Sequence, residues 1–214
     1  MRGILTGRCP AKQWAGLAKR FALFVLLFFA AVESNAFPLD EQGKDKNIPA
    51  DYWDPGSGIL LAGQVYSFKR TNLVNDWPVK GATSAAYETV DYTEALAHTL
   101  NRYAMNTEIK IVPYPATLAQ PVVDTIIGAI KRKYPRFKSE PYDGETVFGA
   151  STAVCGQGSL DIPARSNRAI CQVMVIPKGR YLVAFRFIFA AARQKNFQPE
   201  IDQFVVKILG EKGR

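Results

Sequence analysis

Two cysteines are the residues best placed for chemistry. Cys155 and Cys171 bracket fifteen mostly polar and turn-forming residues in the stretch VCGQGSLDIPARSNRAIC. The flanking segments 145–155 and 169–176 read as strands. Antiparallel pairing around a loop centred near residue 163 would set the two cysteines opposite each other. A disulfide there would contribute about 3 kcal/mol by closing a loop of about fifteen residues, and we predict this bond.

A reactive thiol is the alternative interpretation. A cysteine becomes nucleophilic at neutral pH only beside a base or a positive neighbour. His98 is the only histidine in the chain, so it would have to be the base. In a helix its neighbours four residues away are Glu94 and Arg102, which are both polar, so we expect His98 to face solvent. A labile, redox-active pair stays open, although the spacing is far from Cys-x-x-Cys.

Other catalytic and metal-binding patterns do not occur in the sequence. The chain has no P-loop, no Gly-x-Gly-x-x-Gly and no Gly-x-Ser-x-Gly. One histidine and one predicted cysteine pair leave no Cys/His cluster with zinc spacing. We therefore single out no catalytic residue and expect neither a metal nor a cofactor.

A basic run, KRKYPRFK at 131–138, is the first candidate binding element. It interleaves cations with two aromatic residues, and such a cluster attracts phosphates, acidic glycans or anionic lipid headgroups. Complementing the dipole of a helix C-terminus is the structural alternative. The cations are Lys131, Arg132, Lys133, Arg136 and Lys138.

The bracketed loop 156–168 is the second candidate. It carries Asp161, Arg165, Asn167 and Arg168, and loops on a rigid scaffold often carry binding function. Arg186 is a third candidate because it interrupts the apolar strand RYLVAFRFIFA. A buried arginine needs a paired acid or carbonyl groups, so Arg186 either completes a structural ion pair or lines a ligand pocket.

The first 36 residues have the three parts of a secretory signal peptide. A basic segment precedes the twelve-residue apolar run at 21–32, and Ser34-Asn35-Ala36 supplies small residues at a cleavage site. Twelve helical residues reach only about 18 Å, against roughly 30 Å for a bilayer core. We expect cleavage after Ala36, no membrane span afterwards, and a periplasmic or secreted protein. An uncleaved signal anchor is the alternative.

Cleavage changes the charge and the cysteine count. Residues 37–214 keep 27 − 5 = 22 basic and 19 − 1 = 18 acidic residues, which gives a net charge of about +4 instead of +8. Cys9 leaves with the signal, so the two remaining thiols are each other's only partners. Nucleic acid is not an expected partner outside the cytoplasm, whereas an anionic lipid, a glycan or a protein is.

The elements that position these residues predict one α+β domain. We expect a mobile leader at 37–58 and a single domain at 59–214, with a long loop at 71–90. The prediction is a mainly antiparallel sheet with about three helices packed on one face. The predicted helices cover 92–105, 121–134 and 199–210, and the predicted strands cover 59–69, 108–112, 145–155, 169–176 and 180–190.

Taken together, the sequence favours an exported, non-enzymatic binding or accessory protein of a bacterial envelope. Its contact surface would be the loop 156–168 with the basic run, and its partner a protein or an anionic surface component. Two alternatives stay open. One is a periplasmic hydrolase with unrecognised catalytic residues, and the other is a signal-anchored subunit of a secretion or conjugation assembly. The sequence leaves the oligomeric state undetermined.

Overall fold

An eight-stranded antiparallel sheet forms the centre of the structure. The computed structural model describes residues 49–76, 80–90, 103–162 and 167–210. Two small hairpins lie outside this sheet, β1 (Tyr52–Trp53) with β2 (Leu60–Leu61) and β8 (Val147–Phe148) with β9 (Ser151–Thr152). From edge to edge the main sheet runs β3 (Gln64–Val65), β4 (Phe68–Asn75), β5 (Thr83–Val90), β6 (Tyr103–Val112), β12 (Tyr181–Ala190), β11 (Asn167–Lys178), β10 (Val154–Ile162) and β7 (Lys138–Glu140).

Strand β12 lies in the middle of the sheet, between β6 and β11. Its side chains are apolar on both faces except for Arg186, and both faces are covered by other parts of the chain. A strand buried on both sides reads as a nearly continuous apolar run. The apolar run RYLVAFRFIFA thus predicts a central strand, and β12 has that position in the sheet.

Two α-helices occur in the described part of the chain. Helix α1 (Ala119–Lys133) follows a 3₁₀ turn at Ala116–Leu118, and α2 (Gln194–Leu209) follows one at Ala191–Arg193. Both were predicted, but α2 begins five residues before the predicted start at Pro199, which lies inside the helix. Pro199 is the sixth residue of α2, so the helix lacks the hydrogen bond that an N–H at this position would donate to the Lys195 carbonyl.

The helices pack on opposite faces of the sheet, which corrects the prediction of helices on one face. Helix α1 buries Val122, Val123 and Ile126 against the face that carries Val173 and Val175. The other face carries α2, whose Phe204 ring lies 4.2 Å from Phe68 and 6.1 Å from Phe187 between centroids. Side chains alternate between faces along a strand, so both sets of alternating positions are apolar.

Three further predictions differ from the structure. Residues 92–102 of the predicted first helix lie outside the described residues, and 103–105 belong to β6. The predicted loop at 71–90 contains most of β4 and all of β5, whose residues are held by pairing with β6 rather than by local propensity. The predicted strand at 59–69 is divided by turns into β2, β3 and the start of β4.

The N-terminal part of the described chain is folded against the domain. Residues 37–48 of the predicted leader lie outside the described residues, while β1 pairs with β2. Asp54 is buried, and its carboxylate accepts hydrogen bonds from the Ser57 N–H, the Ser57 hydroxyl and the Thr83 hydroxyl. In the portion of the chain that is described, no helix has the length and apolar character needed to cross a membrane.

Candidate functional site

The two cysteines lie on opposite faces of the sheet. In the β10–β11 ladder Cys155 is opposite Met174, whereas Cys171 is opposite Gly158. The residue facing Cys171 is thus three positions from Cys155, and an odd offset turns a side chain to the other face. Both cysteines are free. The predicted disulfide is absent because the hairpin pairs in a register three residues away from the one that would join them.

Burial keeps both thiols protonated. It raises the pKa of Cys155 to about 12, with a further contribution from the Asp202 charge. Burial raises the pKa of Cys171 to about 11, partly opposed by Arg186. A protonated thiol is a poor nucleophile, so neither has the character of a catalytic thiolate. His98, the only base considered for such a mechanism, lies outside the described residues.

The predicted loop 156–168 is mostly strand. Its residues 156–162 belong to β10 and 167–168 to β11. Gly156 and Gly158 form no turn; they leave room for neighbours. A Cβ on Gly156 would lie 2.8 Å from the Val123 side chain on α1, and one on Gly158 would lie 2.2 Å from the Phe137 ring. The glycines therefore let α1 and Phe137 approach the sheet, as glycine in a strand interior often does.

The basic run reaches the edge of the sheet. Lys131, Arg132 and Lys133 form the last turn of α1, and Lys138 begins the edge strand β7. All five cations of the run are exposed. Among the described residues no ion pair joins any of them to a carboxylate. Within the described residues the run is therefore a positive surface without a paired carboxylate.

The structure brings this run next to charged residues of the predicted loop 156–168. In the β7–β10 ladder Lys138 is opposite Ser159. Glu140 of β7 accepts a 2.6 Å hydrogen bond from the Ser159 hydroxyl and forms an ion pair with Arg168. Asp161 is exposed and lies opposite Arg168 in the β10–β11 ladder. We name the surface made of residues 131–138 with Glu140, Asp161 and Arg168 the basic edge.

Two other candidate residues of the predicted loop 156–168 contribute little to the description of this surface. Arg165 lies outside the described residues, and Asn167 is described only as the first residue of β11. Arg186 does not belong to the basic edge, because β11 and β10 separate β12 from β7. The sequence candidates thus divide between the basic edge and the interior of the sheet.

The basic edge accounts for the net charge of the described chain. Its six cations and two acids give 6 − 2 = +4. All described residues together contain 16 basic and 12 acidic residues, which is also 16 − 12 = +4. The remainder is therefore balanced, and the excess positive charge is concentrated at one edge of the sheet. A concentrated field of one sign attracts partners of the opposite sign.

Arg186 belongs to a charge triad on the α1 face. Its Nη2 atom lies 2.8 Å from Glu108 Oε2, and the other Glu108 oxygen lies 2.9 Å from Lys110 Nζ. Lys110 is 2 % exposed, and burial lowers its pKa to about 8 although Glu108 favours the charged form. The structural ion pair foreseen for Arg186 is present, and the triad consists of Lys110, Glu108 and Arg186.

Glu108 and Lys110 alternate with Ile109 and Ile111, a pattern that predicts a strand with its polar side chains in water. Both are instead buried, because β6 is an interior strand. Removing two charges from water is costly unless they are paired. The sequence signal for this pairing was Arg186 on β12, which lies directly opposite Glu108.

A small hollow lies beside the triad. Its volume is about 230 Å³, and Arg186 and Glu108 line it together with Ala86, Glu88, Asn106 and Ile188. Ala86 lies opposite Glu108, and Glu88 lies opposite Asn106, so two carboxylates and one guanidinium converge here. Each Glu108 oxygen forms one ion pair, so this carboxylate holds Lys110 and Arg186 together.

A polar network between the sheet and α2 was not foreseen. The Gln172 amide donates to Gln157 and to Gln198, each at 2.7 Å. Gln198 in turn donates to Asp202 at 2.9 Å and to the Tyr142 hydroxyl at 3.3 Å. The sequence signal was Gln172, the one polar residue within AICQVMVI. Buried amides need such partners, so the network fixes α2 on the sheet.

Comparison with known proteins gives only distant likeness. No family model matches the chain, and no curated protein matches it. A crystal structure of a protein from Bacteroides thetaiotaomicron VPI-5482 is similar with a TM-score of 0.41 and 9 % identity. The alignment covers 75 % of this chain and 47 % of that one, so this chain spans about half of its length.

A second similar structure is PA94 of Pseudomonas aeruginosa, a protein of unknown function. Its TM-score is 0.38 and its identity 12 %, over 77 % of this chain and 96 % of that chain.

Metal chemistry finds no support in the described ranges, where no three His, Cys, Asp or Glu residues are grouped as ligands.

Proposed function

We propose that this chain is an exported protein of a bacterial envelope, periplasmic or secreted, that acts by binding. The basic edge is its contact surface, and the partner is an anionic surface component or a protein with an acidic surface. The export assignment is supported by the signal-peptide features of residues 1–36. The absence of a catalytic motif in the sequence favours binding over catalysis.

One observation carries the proposal. Five exposed cations at 131–138 make no ion pair with a carboxylate in the described part of the chain. A solvated helix end could carry three of them, but Arg136 and Lys138 lie beyond α1. The dipole of α1 acts only within its last turn. The basic edge therefore holds more positive charge than the helix needs.

The surface is also held in place. Phe137 is buried within the run and packs on Gly158 of β10. Backbone hydrogen bonds from Tyr134 N–H to Ile130 and from Phe137 N–H to Tyr134 fix the chain between α1 and β7. A surface ordered before binding loses less conformational entropy when a partner arrives.

Charge reversal followed by affinity purification from native envelope extracts tests this function. We expect Lys131→Glu with Arg136→Glu to remove partners that the unaltered protein retains. Lys195→Glu with Lys207→Glu, two exposed lysines of α2, is the matched control and should keep them. The proposal fails if the basic-edge variant keeps every native partner.

A periplasmic hydrolase is the second candidate, and the hollow beside the triad favours it. Glu88 and Glu108 both line the hollow next to Arg186. Hydrolysis of ester or glycoside substrates by the purified protein, lost in Glu88→Gln, would support it. A signal-anchored subunit is the third reading, and N-terminal sequencing of the protein from its native cells tests whether residues 1–36 are retained.

A further inference from the structure

The basic edge presents its cations on three successive parts of the chain. Three belong to the last turn of α1, Arg136 lies in the connection, and Lys138 stands on β7. Cations arranged in this way meet several separate anionic groups rather than converge on one. A layer of phosphate groups has that property, and juxtamembrane basic clusters of four to eight residues bind such layers.

An exposed aromatic residue lies within the same cluster. Tyr134 follows α1 directly and is 40 % exposed, which is high for a large apolar side chain. The Lys133 ammonium lies 5.6 Å from the centre of its ring. A tyrosine has an apolar body and a polar tip, so it suits the boundary between lipid headgroups and water.

From these observations we infer that the basic edge binds the surface of a bilayer through the phosphate groups of its anionic phospholipids. This inference rests on the proposed function and names the partner of the same surface. Binding is peripheral: the cations meet the headgroups while Tyr134 enters the interface. The balanced charge elsewhere on the described chain means that one edge of the molecule is attracted much more strongly than the rest.

Vesicle co-sedimentation tests the inference with the protein as purified from its native cells. The vesicles are phosphatidylcholine, either alone or mixed with phosphatidylglycerol. We expect binding to the mixed vesicles that weakens strongly between about 0.05 M and about 0.5 M salt, because surface charges are screened over a few ångströms at high salt. Any contribution of the apolar run at 21–32 is present in every variant and is insensitive to salt.

Two neutralising variants locate the binding surface. Each cation removed should weaken the apparent affinity about fivefold, so Lys131→Gln with Arg136→Gln should weaken it roughly 25-fold. Lys195→Gln with Lys207→Gln removes the same charge from α2, on the opposite face, and should change affinity less than about threefold. All four side chains are exposed, so circular dichroism should show both variants folded.

Several outcomes overturn the inference. Equal binding to neutral and mixed vesicles would do so, and so would an equal loss of affinity in the α2 variant. If native partners depend on the basic edge but vesicles do not bind, the lipid inference fails and the proposed function stands, with an acidic protein as the partner. If native partners are also indifferent to charge reversal, both fail.

Discussion

Asp202 provides the sharpest test of the packing of α2. This residue is half-buried at the end of the glutamine network and accepts a 2.9 Å hydrogen bond from Gln198. Burial raises its pKa from 3.8 to about 6; the hydrogen bond from Gln198 opposes this rise, and the Glu145 charge adds a smaller contribution to it. Cys155 and Tyr142 are the other titratable groups coupled to it by charge.

The sign of the pH dependence of stability follows from the raised pKa of Asp202. The folded protein holds the Asp202 proton more tightly than the unfolded chain does. The free energy of unfolding therefore falls as pH rises from about 4 to about 6, and this contribution stays constant above that range. The difference between 3.8 and about 6 corresponds to about 3 kcal/mol. Asp202 is only half-buried, and solvent screening reduces this to about 1–1.5 kcal/mol.

Asp202→Asn removes the titration and keeps an oxygen that can accept from Gln198. We expect this variant to exceed the unaltered protein in free energy of unfolding by about 1–1.5 kcal/mol at about pH 8 and to match it at about pH 4. Urea unfolding followed by circular dichroism at several pH values measures the difference directly.

The chain offers a matched control on the other helix. Gln120 donates a 2.8 Å hydrogen bond to Asp124 on the exposed side of α1, with the same four-residue spacing as Gln198 and Asp202. Asp124→Asn should change stability by no more than about 0.5 kcal/mol at any pH. The reasoning is refuted if Asp202→Asn has the same effect at both ends of the pH range, or if it destabilises the protein at high pH.

Further predictions concern the triad, the strand glycines and the thiols. Glu108→Gln leaves Lys110 buried without its carboxylate and should cost about 3–5 kcal/mol in urea unfolding; a loss below about 1 kcal/mol would contradict the triad. Gly158→Ala should destabilise by about 1–3 kcal/mol because the new methyl group meets the ring packed on it. Gly128→Ala should stabilise α1 by about 0.5–1 kcal/mol, because a Cβ there meets nothing closer than 3.6 Å. Calorimetry measures both glycine variants, and a stabilising Gly158→Ala with a destabilising Gly128→Ala would contradict both predictions. The two strand cysteines should both react with a thiol reagent after unfolding without a reductant, and protected thiols would show a disulfide instead.

The sequence was sufficient where the pattern of apolar residues was long and regular. Both described helices and the central position of β12 follow from such patterns. The face on which each helix packs could not be read, because β11 and β12 are apolar on both sides and so favour neither. Strand β5 was missed since its small and polar residues acquire their structure from pairing with β6.

The candidate site was predicted by composition but not by geometry. The sequence predicted that the cations at 131–138 and the charged residues of 156–168 form one contact surface, but it did not show how they meet. The pairing of β7 with β10 brings them together. The cysteines show the opposite case, in which plausible spacing led to a wrong bond. Hairpin register depends on the turn and on packing by Gly156 and Gly158, and a shift of a few residues changes which side chains meet.

The short edge strand has a consequence for how copies of this protein meet. Strand β7 pairs with β10 only at residues 157–159, so β10 extends beyond β7 to Ile162. Backbone groups at a sheet edge are a template on which another chain can add a strand. Here such an approach would bring two surfaces of +4 together. The same cations that attract an anionic partner thus repel a second copy, and guard the edge against self-association.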